Sequence, residues 1–160
     1  MMKICFLLGG FQGNGGIGRV TSILTNEFSK DAGIEIHVIC YLYEKNKPVL
    51  YELQPGVQMH WLYELPISMT QAILFKHAIK KVKTILMVEN IDILIACGAL
   101  YFPLAIRACE RIKTKCVCWE HTNPLISSDY KFQNLCRGYA IKRCDKFVVL
   151  TKSAQKYYAR

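Results

Sequence analysis

Six short stretches of this chain are apolar at most positions, and segments with helical spacing lie between them. The stretches are Lys3 to Leu8, Glu35 to Tyr41, Val57 to Leu62, Ile91 to Ala96, Lys115 to Glu120 and Lys146 to Leu150. Strands that are apolar throughout, rather than alternately, predict a parallel sheet covered on both faces. The first intervening helix is predicted from about Gly18 to Lys30, with Val20, Ile23, Leu24 and Phe28 on one face. Asp31-Ala32-Gly33 ends it, Gly33 being suited to a left-handed C-cap. Pro48 to Gly56 reads as irregular. A long helix is expected from about Thr70 to Val88, with an apolar stripe of Ala72, Phe75, Ile79, Val82 and Leu86 and with Lys76, Lys80, Lys81 and Lys83 mainly outside it. Glu89-Asn90 is a turn. Tyr101 to Ile112 is helical if Pro103 sits in the first turn, where its missing N–H costs nothing. Asp129 to Arg143 is another helix, and Thr151-Lys152-Ser153 caps a last one that runs to Arg160. The pattern predicts an α/β fold: one Rossmann-like domain over residues 1–160, built on a doubly wound parallel sheet.

Composition narrows this. A chain of 160 residues with 52% hydrophobic and 21% charged residues suits one folded domain. No apolar run approaches the roughly 20 residues of a membrane span, and the run after Lys3 is too short for a secretory signal. A cytoplasmic location is expected. The eight cysteines fall within strands or helices, with no C-x-x-C pair and no zinc-like spacing, so reduced thiols packed as small hydrophobes are expected. Trp61 and Trp119 read as core. His37, His60 and His77 read as packing or surface residues. Charge is uneven: residues 107–160 carry twelve Lys/Arg against four Asp/Glu, out of a net charge of +9. Such a half suits an acidic partner, whether nucleic acid, anionic lipid or a phosphorylated substrate, or is a solvated surface.

The chemistry concentrates in Gly9 to Val20, GGFQGNGGIGRV. Glycines at the carboxyl end of a first strand let backbone amides approach phosphate oxygens, and the following helix presents its positive end. A nicotinamide fingerprint would start its glycines directly after the strand and place an acid at the end of the second strand. Here Gly9-Gly10-Phe11-Gln12 widens the loop and Glu44 comes late. A P-loop would close Gly-Lys-Ser/Thr, whereas this loop closes Gly18-Arg19-Val20. A mobile loop without a ligand is the remaining alternative.

Three segments in order carry a family resemblance: the wide glycine loop ending G-G-I-G-R-V, the stretch C-V-C-W-E-H-T-N-P from Cys116 to Pro124, and D-K-F-V-V-L-T-K-S-A from Asp145 to Ala154. Together they resemble the amino-terminal half of retaining nucleotide-sugar glycosyltransferases of the GT-B fold, family 4. The resemblance implies a two-domain enzyme, here with its acceptor-side half and without the carboxyl-terminal nucleotide-sugar domain, and so no transfer by this part alone. It implies a nucleotide-sugar donor and a glycan or lipid-linked acceptor in cell-surface polysaccharide synthesis. Gly15, Gly16 and Ile17 would line the donor diphosphate, His121 would act in the cleft, and Arg19 and Asn123 would face the acceptor, although Arg19 could equally pair with a carboxylate on its own helix. No metal or other cofactor is expected, and no nucleic acid. The lysine face of the long helix would allow peripheral contact with an anionic inner membrane leaflet. Two rivals stay open: a nicotinamide-dependent Rossmann enzyme, and a basic nucleic-acid-binding or scaffolding module.

Overall fold

A computed structural model describes residues 1–66, 71–123 and 131–159, with backbone alone for Gln71 and Ala72. The expected helix starts at Thr70 and Asp129, the side chain of Ala72, Pro124 and Arg160 lie outside the described residues.

The strands are β1 (Met2–Leu8), β2 (Ile34–Tyr43), β3 (Gln58–Glu64), β4 (Ile93–Cys97), β5 (Lys115–Glu120) and β6 (Lys146–Val149). They form one sheet in the order β3-β2-β1-β4-β5-β6, parallel at every pair. Among the described residues five helices accompany them: α1 (Gly16–Phe28), α2 (Gln71–Val88), α3 (Phe102–Cys109), α4 (Lys131–Arg143) and α5 (Lys152–Tyr158), with a 3-10 turn at Ala99–Tyr101. Crossovers between parallel strands are right-handed. The chain moves one way from β1 to β2 and the other way from β3 through β4 to β6, so the helices of the two halves cover opposite faces. Two cores result. Ile4, Phe6 and Leu8 of β1 point to the α1 face, against Ile17, Val20, Leu24 and Phe28, while Cys5 and Leu7 point to the face of α2, α3 and α4.

The sequence reading needs correction at several places. In α1 the most deeply buried residues are Gly18, Thr21, Ser22 and Thr25. Val20, Leu24 and Phe28 flank them, and Ile23 is 52% exposed. Small side chains let the helix approach the sheet closely, and the hydroxyls are satisfied: Ser22 donates to the Arg19 carbonyl (2.8 Å) and Thr25 to the Ser22 carbonyl (3.0 Å), while Thr21 donates to the Cys97 sulfur of β4 (3.8 Å). The helix ends at Ser29, not at Gly33. Gly33 instead donates its N–H to Asp31 Oδ1 (2.8 Å), which turns the chain into β2. In α2 the innermost line is Leu74, Ala78, Val82 and Leu86, with Phe75 and Ile79 beside it. Of its lysines, Lys81 donates to the Leu62 carbonyl (2.7 Å) and lies over the Tyr63 ring, and Lys83 donates to the Glu110 carbonyl (2.5 Å). Only Lys76 and Lys80 remain exposed without such ties. Trp119 is buried as expected, but Trp61 is 37% exposed and packs on Tyr43. Its strand, β3, is the edge of the sheet and has a neighbour on one side only.

Other expectations hold. Pro103 stands in the first turn of α3, and Thr151 caps α5 by accepting the Ala154 N–H (3.1 Å). Asn90 adopts φ 54° in the turn after α2. All eight cysteines are free thiols.

His37 is buried, with Nδ1 3.1 Å from His60 Nε2 and Nε2 2.8 Å from Glu35, which also binds Lys3. Burial, and then the neighbouring His37, hold His60 below the usual histidine range. Its proton is therefore bound more tightly in the unfolded chain. Stability present above about pH 6.5 is lost as pH falls through that value. The thermal midpoint of the wild type is expected to drop between pH 7.5 and pH 5.5, and replacing His60 by Gln should flatten the slope. An unchanged slope would remove His60 from the cause.

Candidate active site

The reversal of strand order lies between β1 and β4, and open α/β sheets bind ligands at the carboxyl ends of the strands beside such a reversal. The glycine loop leaves β1 there. Its first residues are anchored. Phe11 is fully buried against the α1-side core, worth about 1.5–3 kcal/mol for a side chain of this size. Gln12, also buried, binds the β2–β3 connection: Nε2 donates to the Glu44 carbonyl (2.7 Å) and to the Lys47 carbonyl, and Oε1 accepts the Glu44 N–H (2.7 Å). The extra residues that widen the loop are thus its fixings. β2 runs to Tyr43, so Glu44 follows it directly, but its carboxylate pairs with Lys47 (3.2 Å).

The glycines divide into two groups. A Cβ at Gly9 would stand 2.8 Å from the Tyr101 hydroxyl, one at Gly18 would press on the Tyr51 ring at 3.2 Å, and one at Gly98 would meet Ile17 Cδ1 at 3.2 Å. Gly98 also has φ 97°, a left-handed conformation that disfavours any side chain. These glycines serve the packing of the chain itself. Gly13, Gly15 and Gly16 do not, because an added Cβ at each meets no described residue within 4 Å. Gly15 is the N-cap of α1 with an ordinary φ of −80°, and the helix begins at Gly16 with no side-chain cap and no acidic residue in its first turn. The first amides of a helix have no partner within it, so Gly16 and Ile17 present uncapped N–H groups at the positive end of a thirteen-residue helix. The Ile17 side chain turns inward on Gly98, and its amide is what remains for a ligand. We expect Gly98→Ala to lower stability by about 1–3 kcal/mol, measurable by denaturant unfolding; a neutral result would mean that the turn relaxes.

β5 brings the second half of the site. The Gly98 N–H donates to the Trp119 carbonyl (3.0 Å), which sets the end of β4 against the end of β5. His121 lies two residues on, its ring 4.2 Å from that of Trp119 and on the same side of the strand. Trp119 and Ile17 belong to one core cluster, so His121 and the α1 N-terminus share a face of the sheet. The Nε2 of His121 is buried and has no hydrogen-bond partner among the described residues. Burial holds the imidazole below the usual range, and the opposing pull of Glu120 is smaller. His121 is therefore neutral at pH 7, able to donate or accept one hydrogen bond but not to bring a charge.

Glu120, which the sequence suggested would orient the loop or pair with a basic neighbour, does both. It is almost fully buried, its Oε1 accepts the Thr122 N–H (2.7 Å), and its Oε2 binds Arg137 Nε (2.6 Å). Arg137, equally buried, extends its fork to Asn134 Oδ1 (2.8 Å) and Gln133 Oε1 (3.2 Å). The ion pair ties α4 to the loop that carries His121 and Asn123. Arg19 is exposed and makes no ion pair with a described residue; the only acid on its own helix, Glu27, pairs with Lys30. Asn123 is exposed beyond His121.

On the other face, at the same edge, lies an open apolar groove of about 810 Å³. Phe75 of α2, Leu100 and Tyr101 of the 3-10 turn, and Phe132, Leu135 and Tyr139 of α4 line most of it. Phe132 and Leu135 are 67% and 72% exposed. Tyr101 joins the two places, since its ring lines the groove while its hydroxyl faces Gly9. Leu42 does the same, lining the groove while its N–H donates to the Gly9 carbonyl (3.0 Å). Nothing in the residue pattern pointed to this groove.

The sequence profile of Glycosyltransferase Family 4 matches residues 14–160. The chain belongs to this family. Among solved structures, its fold is similar to a sucrose-phosphate synthase from Thermosynechococcus elongatus (TM-score 0.77, 13% identity, 100% of this chain and 45% of the other). It is also similar to a lipopolysaccharide outer core galactosyltransferase (TM-score 0.70, 17% identity, 97% and 41%) and to a UDP-GlcNAc 2-epimerase from Methanocaldococcus jannaschii (TM-score 0.70, 15% identity, 99% and 42%). No curated protein matches in sequence. The chain spans less than half the length of each of these structures. Its sheet is thus the Rossmann-like amino-terminal half of a GT-B fold. No helix among the described residues of this family-4 domain is long and apolar enough to cross a membrane.

Proposed function

We propose that this family-4 domain is the acceptor-side half of a retaining glycosyltransferase that moves a sugar from a nucleotide-sugar donor to a lipid-linked or glycan acceptor in cell-surface polysaccharide synthesis. The observation that carries this reading is the closeness of two surfaces at the glycine loop: an apolar groove, whose Tyr101 and Leu42 also touch Gly9 at the start of the loop, and the uncapped, glycine-lined helix N-terminus at the end of the loop. The helix N-terminus suits the diphosphate of a donor held mainly by a second domain. The groove suits the apolar part of an acceptor.

In this reading the amides of Gly16 and Ile17 donate to the donor diphosphate as charge builds on it during departure of the sugar. Open space at Gly13, Gly15 and Gly16 is what such an approach requires. Neutral His121 donates its unpartnered Nε2–H, or the tautomer's equivalent, to a hydroxyl of the transferred sugar or acceptor; it is not the base, which in a retaining reaction is the donor's own phosphate oxygen. Arg19 and Asn123 face the acceptor. Helix amides and basic residues meet the diphosphate charge without a metal ion. Lys76 and Lys80, the two outward lysines of α2, support contact with an anionic inner leaflet, each worth about 1 kcal/mol near the surface.

The test is a screen of nucleotide sugars with the full-length protein, with and without lipid-linked acceptors, in the presence of EDTA. Transfer that depends on an acceptor, persists in EDTA and falls in Leu135→Asp with unchanged donor KM would support the reading. Epimerisation of a donor without any acceptor would overturn it.

A further inference from the structure

Beside the glycine loop a smaller hollow of about 290 Å³ opens at the carboxyl ends of β1 and β2. Much of its wall is glycine: Gly9, Gly10 and Gly13 line it, along with Leu42. A Cβ at Gly10 would stand 3.0 Å from the Leu42 carbonyl oxygen, and the residue has φ 152°, so this part of the wall stays bare. Gly13 lies two residues before the α1 N-cap at Gly15. Two charged residues, Glu44 and Lys47, line the hollow from the turn that follows β2. Gln12, also in its wall, holds that turn through bonds to the Glu44 N–H and carbonyl and to the Lys47 carbonyl. These bonds are all to backbone, which leaves the two charged heads to each other and to a ligand. Glu44 Oε1 lies 3.2 Å from Lys47 Nζ, and both side chains are about half exposed. Leu42 lines this hollow and the apolar groove alike.

We propose that this hollow is the subsite for a sugar ring of the acceptor, held by Glu44 and Lys47, a role that presupposes the acceptor-side transferase half proposed above. The chemistry selects the ligand. A carboxylate accepts hydrogen bonds from two hydroxyls at once, and an ammonium donates to hydroxyl and ring oxygens. An acid just past the second strand of a Rossmann-like sheet is well placed for this, as in dinucleotide folds, where it takes the hydroxyls of a ribose. The pair carries opposite charges and adds no net charge, which suits a neutral polyhydroxyl ring better than a phosphate. Phosphate has the uncapped α1 amides instead. Size points the same way. A volume of about 290 Å³ is at the lower end of the roughly 300–1,000 Å³ of small-molecule pockets, with room for one ring rather than a chain of sugars. A ring held here lies against Gly13, three residues before the first helical amide assigned to the donor diphosphate. An apolar chain attached to the ring can pass over Leu42 into the groove. Glu44 and Lys47 thus read the hydroxyls of the acceptor, and the glycine amides read the phosphates of the donor.

Two experiments on the full-length protein test this. The first uses an acceptor found in the nucleotide-sugar screen. Glu44→Gln and Lys47→Met should each raise the acceptor KM about 10-fold or more, the change that goes with losing a hydrogen bond to a charged group. Donor KM and the unfolding midpoint should stay the same, because an exposed pair at this spacing contributes little to stability. An unchanged acceptor KM in both variants would overturn the proposal. So would a rise in donor KM alone, which would put the ribose of the donor here instead. The second experiment needs no turnover. Methyl glycosides of glucose, galactose, mannose and N-acetylglucosamine are titrated into the isotope-labelled protein and followed by NMR. At least one should shift the amide signals of Gly10, Gly13 and Glu44 in the wild type and leave them in place in Glu44→Gln. No shift with any of them, or the same shifts in the variant, would refute the site. If no acceptor is found, this titration decides alone: such shifts would uphold a sugar site although the transferase reading had failed.

Discussion

Replacing Arg137 by Met should lower the stability of the domain by about 3–5 kcal/mol, the cost of leaving a buried charge without its partner. Against a total of roughly 5–15 kcal/mol for a domain of this kind, that is a large share. The loss comes from Glu120, which would keep its carboxylate inside the protein with one remaining donor among the described residues, the Thr122 N–H. Two further measurements separate this cause from loss of packing alone. Removing both charges, in Glu120→Leu with Arg137→Met, should recover much of the stability, because a buried ion pair is worth little more than an apolar pair of similar volume. It should not restore the loop, since the double variant still lacks an acceptor for Thr122. The imidazole of His121 would report this: its titration, followed by NMR, should move back toward the ordinary histidine range as the loop opens to water. A double variant as unstable as the single one would show that the pair acts through shape rather than charge.

The second large effect concerns activity with stability intact. Gly16→Ala places a methyl in open space at the first residue of α1, in a helical conformation alanine prefers. Its unfolding midpoint should stay the same or rise slightly. In the full-length protein, kcat/KM for the donor should fall about 100-fold, the order expected when a reacting group is held about 1 Å out of place. Gly98→Ala makes the contrast, since it strains the fold itself. Unchanged donor kinetics in Gly16→Ala would remove the α1 N-terminus from the diphosphate site.

The alternation of apolar strands with amphipathic helices determined the fold class, because covering a parallel sheet on both faces leaves few other solutions. Local chemistry also read true where one residue decides a local event: Pro103 in a first turn, Thr151 as a cap, the bounds of β5 at Lys115 and Glu120. The glycine loop and His121 were legible as lying at the carboxyl ends of β1 and β5 for the same reason. What the sequence could not determine is which side chains meet across elements. Hydrophobic spacing favoured Ile23, yet the buried face of α1 is Thr21 and Thr25, since closeness to the sheet selects small residues over apolar ones. A lone Glu120 does not reveal that its partner is Arg137, seventeen residues on and in another helix. Nothing in the sequence around Gly98 reveals that the turn sets it against Ile17. The apolar groove is likewise a product of how helices pack on the sheet. Periodicity reports each element's own preference, one segment at a time. Contacts between distant segments depend on the packed whole, and only the tertiary structure decided them.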